Sequence, residues 1–190
     1  MSDAQAISTE DSDQGSRRAG FSVGLSPDEF KRAFRNHAAG VAVITADDGN
    51  GPVGLTATSV FSVSAEPALL VFSVSAQSSS APTLLRAEHV VVHLLAEGQR
   101  DLAQLCATSG IDRFADTSIW TRLITGEPYF PAAHSWIRGR VVDTMSAGTS
   151  TIVAVQALQA QVPEGEAAPL VYHNRTWHSL GDASRLDPHR

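Results

Sequence analysis

Positions 1–20 carry almost no large apolar side chains and are rich in Ser, Asp, Gln and Ala. Such a stretch cannot bury enough surface to order itself, so 1–24 is expected to be a disordered tail. The character changes at Leu25. Ser26-Pro27-Asp28-Glu29 has the form of a helix start, with Ser26 as N-cap, Pro27 in the first turn and Glu29 at the capping-box position. Phe30, Ala33, Phe34 and Ala38 follow at helical spacing, which predicts one apolar face, and Gly40 is the expected stop. Beyond it the pattern becomes that of strands. Residues 41–45 and 53–59 predict two strands around the turn cluster Asp47-Asp48-Gly49-Asn50-Gly51, and 61–64 and 68–75 predict two more, divided by Glu66-Pro67. A short helix runs from Ser80 toward Glu88. A β-branched, buried strand over 90–95 and a helix over 101–108, stopped at Gly110, come next. Strands over 136–144, 149–161, 170–173 and 176–180 complete the chain before a polar tail at 182–190.

Strands therefore succeed one another at short spacing, with only three helices among them. A parallel doubly wound sheet needs regular strand–helix alternation, so the expected class is mainly β: an antiparallel barrel with a few flanking helices, in one domain over 25–181. The 190 residues are long enough for a sizeable core. A net charge of −6 with no evident basic patch argues against nucleic-acid binding. No apolar run approaches bilayer length and no secretory signal is evident, so a soluble cytoplasmic protein is expected. The one cysteine, Cys106, excludes an internal disulfide and a cysteine-built zinc site, and its helical position reads as a buried structural thiol.

Few motifs carry chemistry by themselves. Gly49-Asn50-Gly51-Pro52-Val53-Gly54 matches the dinucleotide fingerprint in letters, but the following residues read as strand where that fingerprint needs a helix, so a hairpin turn is the reading. Asn174-Arg175-Thr176 is a sequon by chance. His93 interrupts an apolar strand and must either find a polar partner or face a ligand cavity. Two hydroxyl-rich segments stand out. Thr56-Ala57-Thr58-Ser59-Val60 is small enough for a flat ligand to approach the backbone. Ser73-Val74-Ser75-Ala76-Gln77-Ser78-Ser79-Ser80 offers hydroxyls and N–H groups to an anion. Each alone is an ordinary strand or polar loop; together on neighbouring strands they point to a phosphate-bearing cofactor. Arg113 offers a charge to a phosphate and Phe114 an aromatic face, unless they are a surface cation beside a core aromatic.

Seven segments occur here in the order in which they occur in one family. They begin with Gly40-Val41-Ala42-Val43-Ile44-Thr45 and with Gly54-Leu55-Thr56-Ala57-Thr58-Ser59-Val60 and its continuation to Pro67. The Ser78-Ser79-Ser80 loop, Val92-His93-Leu94-Leu95-Ala96-Glu97 and Asp112-Arg113-Phe114 come next. Gly126-Glu127-Pro128 and Pro169-Leu170-Val171-Tyr172-His173-Asn174-Arg175 close the series. The chain resembles the flavin reductase-like family, which includes the reductase components of two-component flavin-dependent monooxygenases. The resemblance implies an antiparallel FMN-binding split β-barrel, a homodimer, and hydride transfer from NADH or NADPH to FMN or FAD.

By that resemblance Thr56, Ala57, Thr58, Ser59 and Val60 lie along the isoalloxazine. Ser73, Val74, Ser75, Ser78 and Ser80 reach the ribityl phosphate, with Arg113 and Phe114 on the same side. Ser150 and His173 belong to the nicotinamide side. His93, where relatives often carry Asn, is a further cofactor-binding candidate. Many relatives read Gly-Asp-His where this chain has Gly148-Thr149-Ser150, so the imidazole of that position is absent. No side chain is identified as catalytic and no metal is expected. The function implied is an NAD(P)H:flavin oxidoreductase that supplies reduced flavin to a separate oxygenase. Two alternatives are a reductase holding its flavin tightly for an organic substrate, and a flavin-binding sensor or storage protein without turnover.

Overall fold

The computed structural model describes residues 24–186. The expected N-terminal tail, apart from Gly24, and the last four residues of the expected C-terminal tail lie outside them. Helix α1 (Pro27–Arg35) is followed by β1 (Ala39–Gly40), β2 (Ala42–Asp47), β3 (Pro52–Ala57), β4 (Phe61–Ala65) and β5 (Ala68–Ser75). Helix α2 (Ala81–Arg86), β6 (His89–Leu94), a 3-10 turn and α3 (Arg100–Ala107) come next. Then follow β7 (Thr121–Arg122), β8 (Pro128–Tyr129), β9 (Ser135–Ala147), β10 (Ser150–Gln161), β11 (Leu170–His173) and β12 (Thr176–Ser179).

Seven strands form one antiparallel sheet in the order β3-β2-β6-β9-β10-β5-β4. It wraps around a core of Ala42, Ile44, Leu55, Leu70, Phe72, Val74, Val90, Val92, Val153 and Val155, which α2 closes with Ala81 and Leu84. A second core covers the outside of β2 and β6. There Val41, Val43 and Leu95 meet Ala103 and Cys106 of α3 and the aromatic pair Phe114 and Phe130. β2 and β6 are thus buried on both faces, which explains their unbroken apolar runs. Gly54, where β3 passes under α3, leaves room for Cys106 Sγ and the Phe114 ring, each 3.5 Å from where a Cβ would sit.

α1 has the predicted capping box: Glu29 N–H donates to Ser26 Oγ, and Ser26 N–H to the Glu29 carboxylate. It ends earlier than predicted, at Asn36, and Gly40 serves instead in β1, paired with Val171. None of its residues is buried, so its apolar face has no covering partner among the described residues. β1 continues through β11 into β12 as a small separate sheet.

Candidate functional site

An open groove of about 700 Å3 lies between α1, β1, the 58–61 segment and the turn joining β11 to β12. Its floor exists because the chain leaves the barrel ladder between β3 and β4. Thr58, Ser59 and Val60 pair with no strand, and their main-chain N–H groups donate to no acceptor in the described chain. The Ser59 side chain turns away from the groove to accept from Ser73 N–H at 3.0 Å, which pins the segment to β5. Phe30, Phe34, Phe61 and Tyr172 supply an aromatic wall. Three adjacent free amides beside aromatic rings form a surface that needs hydrogen-bond acceptors from water or a ligand.

The serines form a second group, at the end of β5. Ser75 stands opposite Ser150 on β10, and Ala76 N–H donates to Thr149 carbonyl, which ties this loop to the β9–β10 turn. Ser78 Oγ accepts from Ser80 N–H. Ser80 is buried and does not cap α2; its hydroxyl donates to Gly54 carbonyl at 2.9 Å and accepts from Arg113 Nη1 at 3.1 Å. Arg113 is held from its other edge, where Nε and Nη2 both reach Thr108 carbonyl. The charge is therefore fixed on Ser80 of the hydroxyl loop, in which Ser75, Ser78 and Ser79 are at least partly exposed.

Other candidates are placed elsewhere. Thr56 Oγ1 donates to Ala103 carbonyl and ties β3 to α3, while Ala57 and Val74 point into the barrel core. Phe114 is the core aromatic of the two readings, stacked on Phe130 with ring centroids 5.5 Å apart. His93 is completely buried. Its Nδ1 lies 3.0 Å from Val43 carbonyl and its Nε2 accepts from Phe130 N–H at 3.1 Å, so it is the neutral Nδ1–H tautomer joining three elements. Burial holds its pKa down to about 4, against an ordinary 6.5, while the bond to Val43 works the other way. It found polar partners in the backbone and does not reach the groove. His173 faces away from the groove onto His178, because alternation along β11 turns Tyr172 inward instead. Ser150 joins the serine group and not the groove.

The sequence of segments, the barrel and the groove can now be set beside known proteins. The pattern of the flavin reductase like domain matches residues 34–181. The chain belongs to the flavin reductase-like family. It is 43% identical over 160 residues to an NADH:FMN oxidoreductase of Rhodococcus qingshengii, covering 83% of each chain. It is 27% identical over 176 residues to the reductase component of a 4-nitrophenol 4-monooxygenase/4-nitrocatechol 2-monooxygenase of Rhodococcus opacus, covering 87% of this chain and 93% of that one. Among solved structures, a flavin reductase domain protein of Arthrobacter sp. FB24 superposes with a TM-score of 0.78 at 33% identity, covering 84% of this chain and 97% of that one. The split barrel expected of the family is the fold described above.

Sequence reasoning missed most of the groove wall. Tyr172 lay in a quoted segment, and strand alternation opposite Ala39 was the signal that could have singled it out. Phe30 and Phe34 stood out only as part of the apolar face of a helix, with no ligand role. Lys31, Arg35, His37 and Arg175 also line the groove. They correct the expectation that no basic patch exists: folding makes one, by seating the β11–β12 turn against α1.

Proposed function

We propose that the chain is an NADH-dependent flavin reductase that works as a homodimer and releases reduced FMN to a separate oxygenase. The observation that carries the reading is the free-amide segment 58–60 in an aromatic groove, in a chain 43% identical to an NADH:FMN oxidoreductase across 83% of its length. The residues fit a flavin. The N–H groups of Thr58, Ser59 and Val60 suit the carbonyl and ring-nitrogen acceptors along one edge of an isoalloxazine. Ser75, Ser78, Ser79 and Arg113 suit a phosphate.

When bound, the flavin supplies hydride acceptance from the nicotinamide ring, and no side chain needs to carry a proton for that step. The chain's part is orientation and polarisation. The amides of 58–60 would hold the flavin's acceptor atoms and offset negative charge on them, and the aromatic wall would limit water in the groove. A phosphate site with one cation and several hydroxyls holds its ligand loosely, as release to a partner requires. The Rhodococcus opacus relative is named as the reductase component of a monooxygenase, which supports a separate oxygenase partner.

The homodimer rests on exposed apolar surface. Phe34 is 58% and Phe61 62% exposed, and Phe30, Val63 and Met145 are similarly open to solvent. The deciding experiment is NADH oxidation by purified protein with and without added FMN under anaerobic conditions. Turnover that saturates with FMN and accumulates free reduced FMN is expected. Flavin binding with no NADH oxidation would sink the reading.

A further inference from the structure

Besides the aromatic rings and the free amides, the groove is lined by Lys31 and Arg35, one helical turn apart on α1, and by Arg175 of the β11–β12 turn. The same three residues, joined by Arg32 and Asp28, line an adjoining cavity of about 460 Å3, so the groove continues into a basic channel. Four cations meet one carboxylate, and Asp28 touches only Lys31, at 3.9 Å. This occurs in a chain of net charge −6.

Two features show that Arg175 is held there at a cost. The turn joining β11 to β12 has two central residues, Asn174 at φ 47° and Arg175 at φ 63°. This is the hairpin turn whose second central position favours Gly, because a Cβ crowds the backbone at positive φ. Asn tolerates such angles; Arg does so poorly. In addition, Asn174 N–H donates to Arg35 carbonyl at 3.1 Å, so the turn is pinned to the C-terminal end of α1. That bond seats the turn beside α1, so that Arg175 lines the same two cavities as Lys31 and Arg35. Among the described residues neither Arg35 nor Arg175 has a carboxylate partner.

We propose that Lys31, Arg35 and Arg175 form the subsite for the diphosphate of the nicotinamide dinucleotide, with Arg175 its main anchor. The proposal rests on the reductase reading above and names the residues that hold its hydride donor. A diphosphate supplies two negative charges to a groove lined by cations of both α1 and the β11–β12 turn. It belongs to the dinucleotide and not to the flavin phosphate, because no residue of the Ser73–Ser80 region lines this groove and Arg113 is anchored there instead. A dinucleotide held there by its diphosphate shares the groove with the 58–60 segment.

The test uses ADP-ribose as a probe, since it carries the diphosphate without the nicotinamide or any hydride. Calorimetric titration of the flavin-free protein should show binding that weakens with added salt. Arg175→Gly should weaken it about tenfold, the effect of losing one charge-assisted hydrogen bond at an accessible site. The variant should also raise KM for NADH by a similar factor and leave FMN affinity unchanged. Because glycine relieves the positive φ, its Tm should equal or exceed that of the parent, so misfolding cannot account for the loss. Lys31→Gln, on the exposed helix surface, should act in the same direction, and Arg175→Lys should restore part of the affinity. Unchanged ADP-ribose affinity and unchanged KM in Arg175→Gly would overturn the proposal. So would a loss confined to FAD, with FMN and NADH unaffected, since the diphosphate would then be the flavin's own. Absence of NADH oxidation in the parent protein would overturn the reductase reading instead, while the ADP-ribose titration would still decide the subsite.

Discussion

His93 shows how one buried polar side chain can tie three elements together. It donates to β2 and accepts from the loop after β8 while itself sitting on β6. Its folded pKa of about 4 lies below the ordinary 6.5, so the unfolded chain binds the extra proton first as pH falls. The contribution to stability is present above pH 6.5 and is lost between there and about pH 4, a difference of about 3 kcal/mol by linkage. Urea unfolding at a series of pH values should show this slope in the parent chain. His93→Asn should flatten it while lowering stability at neutral pH; an undiminished slope in the variant would refute the assignment. Glu127 acts in a lower window. Burial alone would raise its pKa, but Arg138 and Thr125 outweigh burial and bring it to about 2, so its contribution fades below about pH 4.5. Arg113 makes a different kind of prediction. Arg113→Met should weaken FMN binding by about tenfold or more and leave riboflavin, which lacks the phosphate, unaffected. Equal loss for both flavins would mean that Arg113 supports the fold and not the phosphate.

Elements are shaped by where two backbones approach. β9 and β10 pair along a long hairpin whose register shifts between Ala154 and Val155 and between Ala157 and Gln159. Gly139 lies in that irregular stretch. A Cβ there would stand 2.3 Å from Val155 Cγ1 and 2.7 Å from Gln156 carbonyl, and the carbonyl cannot yield without moving the strand. Gly139→Ala should therefore destabilise the protein by about 3 kcal/mol, measured by chemical unfolding. A change below about 0.5 kcal/mol would show that the hairpin can shift its bulge to make room. α1 illustrates the opposite case. Its caps and its helical spacing are local and sufficient to form it, yet it packs its Phe face on nothing within the described chain. The helix is placed by one end, where Asn174 of the hairpin meets the Arg35 carbonyl, and by the short β1 that follows.

The described residues form a filled barrel with a second core outside it, and among their exposed apolar side chains are patches on α1 (Phe30, Phe34), β4 (Phe61, Val63) and β9 (Val142, Met145). If these patches meet across a two-fold axis, Val63→Glu on the edge strand β4 should shift the protein toward monomer in sedimentation velocity. A parent chain that sediments as a monomer at micromolar concentration would remove the homodimer from the proposal. The second core also encloses Cys106. Burial pushes its thiol up to about 12, against an opposing influence from Arg113, so it should resist thiol reagents in the native state.

What could be read from residues alone was whatever depends on near neighbours. The capping box of α1, the strands at short spacing, the buried β-branched run of β6 and the order of the family's segments are all local, and they suffice for the barrel and the family. The 56–60 segment stood out for its small hydroxyl residues but read as part of a strand over 53–59; that the chain leaves the ladder after Ala57 was decided by the fold. What folding alone decided is every relation across the sheet. Whether His93 met a ligand or a carbonyl depended on Val43 and Phe130, 50 and 37 residues away. Whether Tyr172 or His173 faced the groove depended on the register of β11 against β1. The cations lining the groove are the clearest case. Lys31 and Arg35 looked like ordinary helix-surface charges and Arg175 like part of a chance sequon, until one backbone hydrogen bond between Asn174 and Arg35 set them on the same cavity. Charge is additive along a chain, but electrostatic potential is made by distance, and distance belongs to the fold.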